Sequence, residues 1–95
     1  MATIVGLLHL RLFVPGSTSL KDKRQVIKSF KERLGRAVNV SVAEVDCLDD
    51  RRQAVLAVVM VSNDRPHMES VLQRIVQQAS THREMMLVDH ELEWL

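Results

Sequence analysis

The 95-residue sequence predicts one α+β domain, in which a four-stranded antiparallel sheet carries two helices on one face. Three observations support this prediction. Two segments, residues 3–13 and 53–62, are apolar on both faces, as central strands are. Two others, residues 38–46 and 85–94, have polar faces typical of half-exposed edge strands. Two amphipathic segments at helical spacing separate these strands in the order β-α-β-β-α-β.

The first strand and the first helix follow from their apolar periodicity. Residues 3–13 are rich in branched apolar side chains and end just before Pro15, a turn signal. Ser19 is in the right place to cap a helix over residues 20–36. The apolar side chains of this helix recur around Ile27, so one of its faces should pack on the sheet.

The remaining elements complete the fold. Alternating valines predict the second strand over residues 38–46, and a charged loop over residues 47–52 predicts a hairpin into the third strand. A capping residue followed by Pro66 opens the second helix. The last strand, residues 85–94, carries an acidic face that must meet water. This order is the split βαβ of ferredoxin-like domains, and right-handed crossovers place both helices on one face. We expect a single domain over residues 1–95.

Charge divides the chain into two halves. Residues 1–42 hold eight basic and two acidic side chains and sum to +6, whereas residues 43–95 hold five basic and ten acidic ones and sum to −5. The total of +1 conceals this polarity. A strongly basic half points to an anionic partner, although it says nothing about the fold.

The first helix concentrates the positive charge on one side. Four cations at spacing i, i+3, i+7 and i+10 form a stripe that could follow a phosphate backbone. The helix has only two acidic residues, so pairing within it cannot neutralise the stripe. The alternative is a solvated helix face kept soluble by Lys and Arg. Two further contacts are Lys23 of the same helix and Arg11, which strand parity places on the side of the sheet without helices. The predicted nucleic-acid-binding residues are thus Lys21, Lys23, Arg24, Lys28, Lys31 and Arg11.

The face of the sheet without helices offers little for reading bases. The chain has no Tyr and only three other aromatic residues, of which Phe30 belongs to a helix core and Trp94 to the C-terminus. RNA-recognition modules of this fold stack bases on aromatics of the central strands. Val5, Leu7 and half of the third strand would instead leave an apolar patch, which usually marks a protein interface. We therefore expect a homodimer that buries this open sheet face.

No constellation in the sequence predicts catalysis, a metal or a cofactor. The four histidines fall in four different elements, and Cys47 has no second cysteine beside it. The acidic cluster over residues 44–50 lacks ligand spacing and adjoins two arginines, so it is interpreted as a solvated hairpin. The chain is therefore expected not to be an enzyme. The single cysteine and the absence of a secretory or membrane-spanning segment indicate the cytoplasm.

Three blocks of sequence resemble a known family. GLLHLRLFVPGSTSLKDKR (residues 6–24), NVSVAEVD (residues 39–46) and VSND (residues 61–64) resemble the YlxP-like family of small bacterial proteins. The resemblance implies a ferredoxin-like fold without an established biochemical activity. It also implies a link to RNA or the ribosome, since genes of this family often lie beside those for transcription elongation, translation initiation and ribosome maturation factors.

One loop departs from the family pattern. Relatives often continue after the second strand with His and an aromatic residue, whereas residues 47–52 here read CLDDRR. Any role of that loop in the family is therefore not carried over to this chain. The leading hypothesis is a non-enzymatic RNA- or ribosome-associated protein. The alternative is a homodimeric interaction module whose basic helix docks on an acidic protein surface, with its own last strand as one possible counterpart.

Overall fold

Six elements follow one another in the predicted order, in a computed structural model that describes residues 1–37 and 39–95. They are β1 (Ile4–Phe13), α1 (Leu20–Ala37), β2 (Val40–Asp46), β3 (Gln53–Ser62), α2 (Arg65–Ser80) and β4 (Met86–Trp94). The boundaries agree with the sequence prediction to within one or two residues. Val38, the first residue of the predicted second strand, lies outside the described residues.

The four strands form one antiparallel sheet in the order β2-β3-β1-β4. The doubly apolar strands β1 and β3 are central, and the half-polar strands β2 and β4 form the edges, as predicted. The ferredoxin-like fold class is thus confirmed. Each edge strand has a register shift: in β2 between Glu44 and Asp46, and in β4 between Leu87 and Asp89. Bulges of this kind re-aim side chains at sheet edges.

The core lies between the helices and one face of the sheet. Alternate residues of β1, such as Leu8 and Leu10, and of β3, such as Leu56, are almost completely buried there. The helices contribute residues at helical spacing, for example Phe30 from α1 and Leu72 from α2. The side chains between these core positions point to the opposite side, the open sheet face, on which neither of the two described helices packs. In the described part of the chain, neither helix is long and apolar enough to span a membrane.

Side-chain caps define where both helices begin. The Ser19 hydroxyl accepts a hydrogen bond from the Asp22 N–H at 3.1 Å, which confirms Ser19 as the cap of α1. Thr18 donates both its N–H and its hydroxyl to the Asp22 carboxylate, and these two hydrogen bonds lower the pKa of that carboxyl. The Asp64 carboxylate likewise accepts the His67 N–H at the start of α2.

Gly6 allows α2 and the C-terminal strand to pack closely on β1. A Cβ at this position would lie 3.1 Å from both the Leu72 Cδ1 and the Trp94 ring. Arg65 from the start of α2 lies over the same Trp94 ring, 4.4 Å from its centroid. Because these groups close around Gly6, there is no room for a branched side chain.

We predict that Gly6→Val lowers the free energy of unfolding by about 1–3 kcal/mol, because the added atoms overpack this contact. Urea denaturation followed by circular dichroism measures the change. Gly16→Ala is the matched control, since a Cβ at Gly16 would meet no atom within 4 Å. Equal stability of the Gly6→Val variant and the native chain would contradict the close packing.

Candidate nucleic-acid interface on helix α1

The predicted basic stripe lies on the surface of α1. Lys21, Arg24 and Lys28 are exposed, and Lys31 is half-buried. At a rise of 1.5 Å per residue, the three exposed cations span about 10.5 Å along the helix axis. We call Lys21, Arg24 and Lys28 the stripe cations, because their charged groups meet solvent on one flank of a regular helix.

No carboxylate neutralises the stripe cations within residues 1–37 and 39–95. The salt bridges there join Lys23 to Glu44 and Arg65 to Glu69. The acidic residue in the first turn of α1, Asp22, is directed to Thr18 instead. The stripe cations are therefore available to an external anion.

The stripe cations lie on the flank of α1 that faces away from α2. The other flank, which carries Ser29 and Arg33, lines a groove shared with Thr81 and His82 at the end of α2. Since α1 packs over β2, an edge strand, the stripe lies along one lateral edge of the molecule. A long ligand such as a nucleic-acid strand could approach this edge without meeting α2.

Lys23 is not a surface residue, and the structure corrects its predicted role as a phosphate contact. Its side chain is 0% exposed, and its ammonium lies 2.9 Å from Glu44 Oε2. It also donates to the carbonyl oxygens of Cys47 at 2.9 Å and Gln53 at 3.1 Å, and the Leu48 carbonyl lies at a longer 3.5 Å. An ammonium has three protons, so the three shorter contacts, to Glu44, Cys47 and Gln53, satisfy it completely. Lys23 therefore fastens the β2–β3 hairpin to α1 and cannot reach a ligand.

The sequence contained the signal for this arrangement. Lys23 precedes Ile27 by four residues, which places it on the core side of the helical wheel with Phe30. Glu44 follows Val42 by two residues and therefore faces the helices rather than solvent. An inward lysine opposite an inward glutamate predicts a buried ion pair, whereas counting cations along the helix does not.

The hairpin loop that Lys23 holds is itself well organised. Cys47 has a left-handed backbone with φ of 60°, and its carbonyl accepts the Asp50 N–H as well as the Lys23 ammonium. The Asp50 carboxylate accepts the N–H groups of Arg52 and Gln53, which lower its pKa. The loop predicted as a solvated hairpin is thus a hairpin tied to α1 through backbone carbonyls.

A second tie joins the same loop to the connection between β1 and α1. The Arg52 guanidinium donates to the Ser17 carbonyl at 3.1 Å, and the Val14 N–H donates to the Arg52 carbonyl at 2.7 Å. Ser17 is buried, and its hydroxyl donates to the Ser19 carbonyl. The N-terminal end of α1, which carries Lys21 and Arg24, is consequently held from both sides.

Arg11 lies on the open sheet face, on the other side of the sheet from α1. Its neighbours across the sheet are Val55 on β3 and Asp89 on β4. This position on the open sheet face was predicted, but the structure corrects the expectation that Arg11 assists the stripe, because the sheet separates the two. Arg11 belongs to a different surface with a different charge.

The open sheet face is apolar in the middle and acidic at its edges. Val59 and Val61 of β3 lie on it beside Val5 and Leu7 of β1, and Val61 is 47% exposed. Among the described residues of this face, four carboxylates outnumber the one guanidinium of Arg11, so its formal net charge is −3 when histidine is counted as uncharged. The carboxylates are those of Asp46, Asp89, Glu91 and Glu93.

His82 closes the groove between the two helices in a fixed orientation. Its Nδ1 accepts the Glu84 N–H at 3.0 Å, and its ring meets Phe30 edge-on at a centroid distance of 5.6 Å. Burial lowers the pKa of His82 below its ordinary value, and the positive charge of Arg33 lowers it further, against a small opposing effect of Glu84. The folded chain thus favours the neutral imidazole.

We predict that the free energy of unfolding falls as the pH drops below about 6.5, the ordinary pKa of His. In that range the unfolded state binds the His82 proton more tightly than the folded state, so acid favours unfolding. His82→Asn should flatten the dependence, because Asn can still accept the Glu84 N–H but does not titrate. Urea denaturation at pH 7 and pH 5 measures how much the free energy of unfolding falls between the two pH values, for the native protein and for His82→Asn. Equal decreases for the two proteins would contradict the prediction.

No group of three or more potential metal ligands is found in the parts of the chain that the structure describes. Cys47 is half-buried, and its backbone carbonyl accepts a hydrogen bond from the Lys23 ammonium. The stripe on α1 and the open sheet face are two surfaces with a distinctive chemistry.

Comparison with known proteins identifies the family. A family model described as "Protein of unknown function (DUF503)" matches residues 5–92. The chain belongs to this family. Uncharacterized protein YlxP from Bacillus subtilis (strain 168) is 26% identical over 91 residues, which cover 96% of this chain and 99% of that protein. The resemblance to YlxP-like proteins is thereby confirmed.

Solved structures share the fold of this DUF503 member. SnoaB, a cofactor-independent oxygenase from Streptomyces nogalater, is similar with a TM-score of 0.60 and 17% identity, over 97% of this chain and 92% of that chain. The designed protein LFR1 1, with a ferredoxin fold, has a TM-score of 0.51 and 12% identity, over 100% and 84%. A C-terminal segment of the aIF2 alpha subunit from Pyrococcus abyssi has a TM-score of 0.54 and 14% identity, over 100% and 51%. At these identities the likeness establishes the fold alone.

Proposed function

We propose that this protein is a non-enzymatic RNA- or ribosome-associated protein that binds the phosphate backbone through the stripe cations of α1. One observation carries the proposal: Lys21, Arg24 and Lys28 are exposed on one flank, and no carboxylate in the described residues forms a salt bridge with them. Lys31 continues the row as a half-buried fourth cation.

The chemistry of the stripe favours backbone binding without sequence readout. A lysine ammonium binds phosphate as a point charge, and an arginine guanidinium binds it through two parallel hydrogen bonds. Contacts of this kind position a ligand without reading its bases. The stripe cations have no aromatic side chain among them on which a base could stack. Shape and charge of the RNA would therefore determine the preference.

The rigidity of α1 supports the same proposal. Lys23 and the Ser19 cap hold the N-terminal end of α1, so the backbone under Lys21 and Arg24 is ordered before any ligand arrives. A preordered surface loses less conformational entropy on binding. The buried lysine would thus contribute to binding indirectly, by positioning its exposed neighbours.

A capture experiment with and without nuclease tests this function. Tagged protein is incubated with bacterial lysate, and the captured material is analysed for RNA and for protein. We expect RNA to be captured, and we expect the partner proteins to be lost after nuclease treatment. Partners that persist after nuclease treatment would contradict the proposal and support docking of α1 on an acidic protein surface.

The open sheet face favours a second candidate function, a homodimeric interaction module. Val61 is 47% exposed there, beside the half-buried Val5, Leu7 and Val59. Apolar side chains grouped on one face of a sheet are typical of a protein interface. Light scattering coupled to size-exclusion chromatography tests this candidate. A homodimer should have a mass of twice 10.8 kDa at micromolar concentration.

A further inference from the structure

We infer that the open sheet face of one copy docks on the stripe cations of a second copy, and that this contact competes with RNA for the same helix. The self-association depends on two surfaces of the chain and does not require RNA binding. Only the competition rests on the function proposed above. The inferred contact joins two different surfaces, and in this respect it differs from a symmetric dimer.

The two surfaces match in charge and in length. Asp89, Glu91 and Glu93 follow one another at every second residue of β4 and are exposed. At about 3.4 Å per strand residue, this acidic row spans about 13.6 Å. The stripe cations span about 10.5 Å, and about 15 Å with Lys31 included. Three carboxylates can therefore lie along three or four cations without a change in either backbone.

The acidic row is available for such a contact. None of its three carboxylates forms a salt bridge with any residue among 1–37 and 39–95. Asp89 accepts the N–H of its neighbour His90, which leaves its second oxygen free. The strand carrying the row is an edge strand, so a second copy meets no neighbouring strand in its way.

Exposed apolar side chains lie on the open sheet face and at the sheet edge over which α1 packs. Val61 adds exposed apolar area to the open sheet face. Val45 on β2 is 48% exposed and Leu48 in the hairpin is 53% exposed, at the edge of the sheet over which α1 packs. The open sheet face thus offers a mixture of charge and apolar area, as the surfaces of transient complexes do.

A symmetric contact between two open sheet faces fits the charges less well. Each face has a net charge of −3, because Arg11 is the one cation opposed to four carboxylates. Two such faces would bring like charges together, which costs free energy across an interface. The contact between open sheet face and stripe instead places opposite charges against each other.

A contact between two different surfaces leaves one free surface on each end of the pair. Such an assembly keeps growing unless its rotation closes a ring. The inference therefore predicts a mean mass that increases with protein concentration at low salt and returns to that of the monomer near 1 M salt, where the Debye length is about 3 Å.

Two complementary variants test the inference. The stripe variant, Lys21→Glu/Arg24→Glu/Lys28→Glu, keeps the native open sheet face. The face variant, Asp89→Asn/Glu91→Gln/Glu93→Gln, keeps the native stripe cations. All substituted residues are exposed, and circular dichroism and urea midpoints verify that both variants fold.

We expect each variant alone to be monomeric and an equimolar mixture to form a complex with one copy of each, measured by light scattering at low salt. A monomeric native protein at all concentrations, or a mixture that stays monomeric, would overturn the inference. The face variant also binds RNA in fluorescence anisotropy if the proposed function holds. If the native protein self-associates but does not bind RNA, the proposed function alone is overturned. If it binds RNA but does not self-associate, the inferred contact alone is overturned.

Discussion

Replacing Lys23 with Ala is expected to lower the free energy of unfolding by about 3–5 kcal/mol, because it breaks a buried ion pair. The substitution leaves the Glu44 carboxylate, 12% exposed, without its partner. It also removes the donor to the carbonyls of Cys47 and Gln53. Urea denaturation at neutral pH measures the loss, which is a large fraction of the stability of a domain of this size.

The chain offers a matched control two residues earlier. Lys21→Ala removes the same side chain from the same helical turn, but Lys21 is exposed, so its free energy of unfolding should change by no more than about 0.5 kcal/mol. A loss below about 1 kcal/mol for Lys23→Ala, or equal losses for the two variants, would show that the ammonium is not held as described.

Reversing the stripe cations is expected to weaken RNA binding by about 100-fold or more at low salt. Each charge pair at about 4 Å in water contributes about 1 kcal/mol, so three lost contacts amount to about 3 kcal/mol, and every 1.4 kcal/mol is tenfold. Reversal adds repulsion, which makes this a lower limit. Fluorescence anisotropy with a labelled single-stranded RNA compares the native protein with Lys21→Glu/Arg24→Glu/Lys28→Glu.

The control variant has the same change in net charge as the stripe variant, but at three exposed arginines outside the stripe. Arg33→Glu/Arg74→Glu/Arg83→Glu alters the far flank of α1, α2 and the loop after it, and leaves the stripe cations unchanged. It should reduce the affinity far less than reversal of the stripe. Equal losses for the two triple variants would mean that net charge, rather than the stripe, governs binding.

The fold could be predicted from the sequence because its determinants are local and agree with one another. The doubly apolar strands β1 and β3, the caps at Ser19 and Asp64, and the alternation in β2 all point to the same order of elements. Apolar residues on both faces of β1 and β3 also predicted that these strands are central. The bulge near Val88 was not predicted, because an extra residue at an edge depends on pairing across the sheet.

The candidate site was predicted in part. The stripe cations lie where the helical period places them, but the sequence prediction grouped Lys23 and Arg11 with them. Lys23 was misplaced because counting charges ignored its position on the apolar side of the helix. Arg11 lies on the open sheet face, as strand parity predicted, but the sheet separates it from the cations of α1 that it was expected to assist. The hairpin contacts of Cys47 depend on a left-handed backbone that no pattern in the sequence indicates.

The salt dependence of RNA binding tests the central claim most directly. For single-stranded RNA, each phosphate contact contributes about 0.7 to the slope of log affinity against log salt, so three stripe cations predict a slope of about −2. Affinity should then fall roughly 20-fold between 50 and 200 mM salt. The stripe variant should have a slope near zero. A flat response of the native protein, or the same slope for both proteins, would contradict a phosphate-binding role for α1.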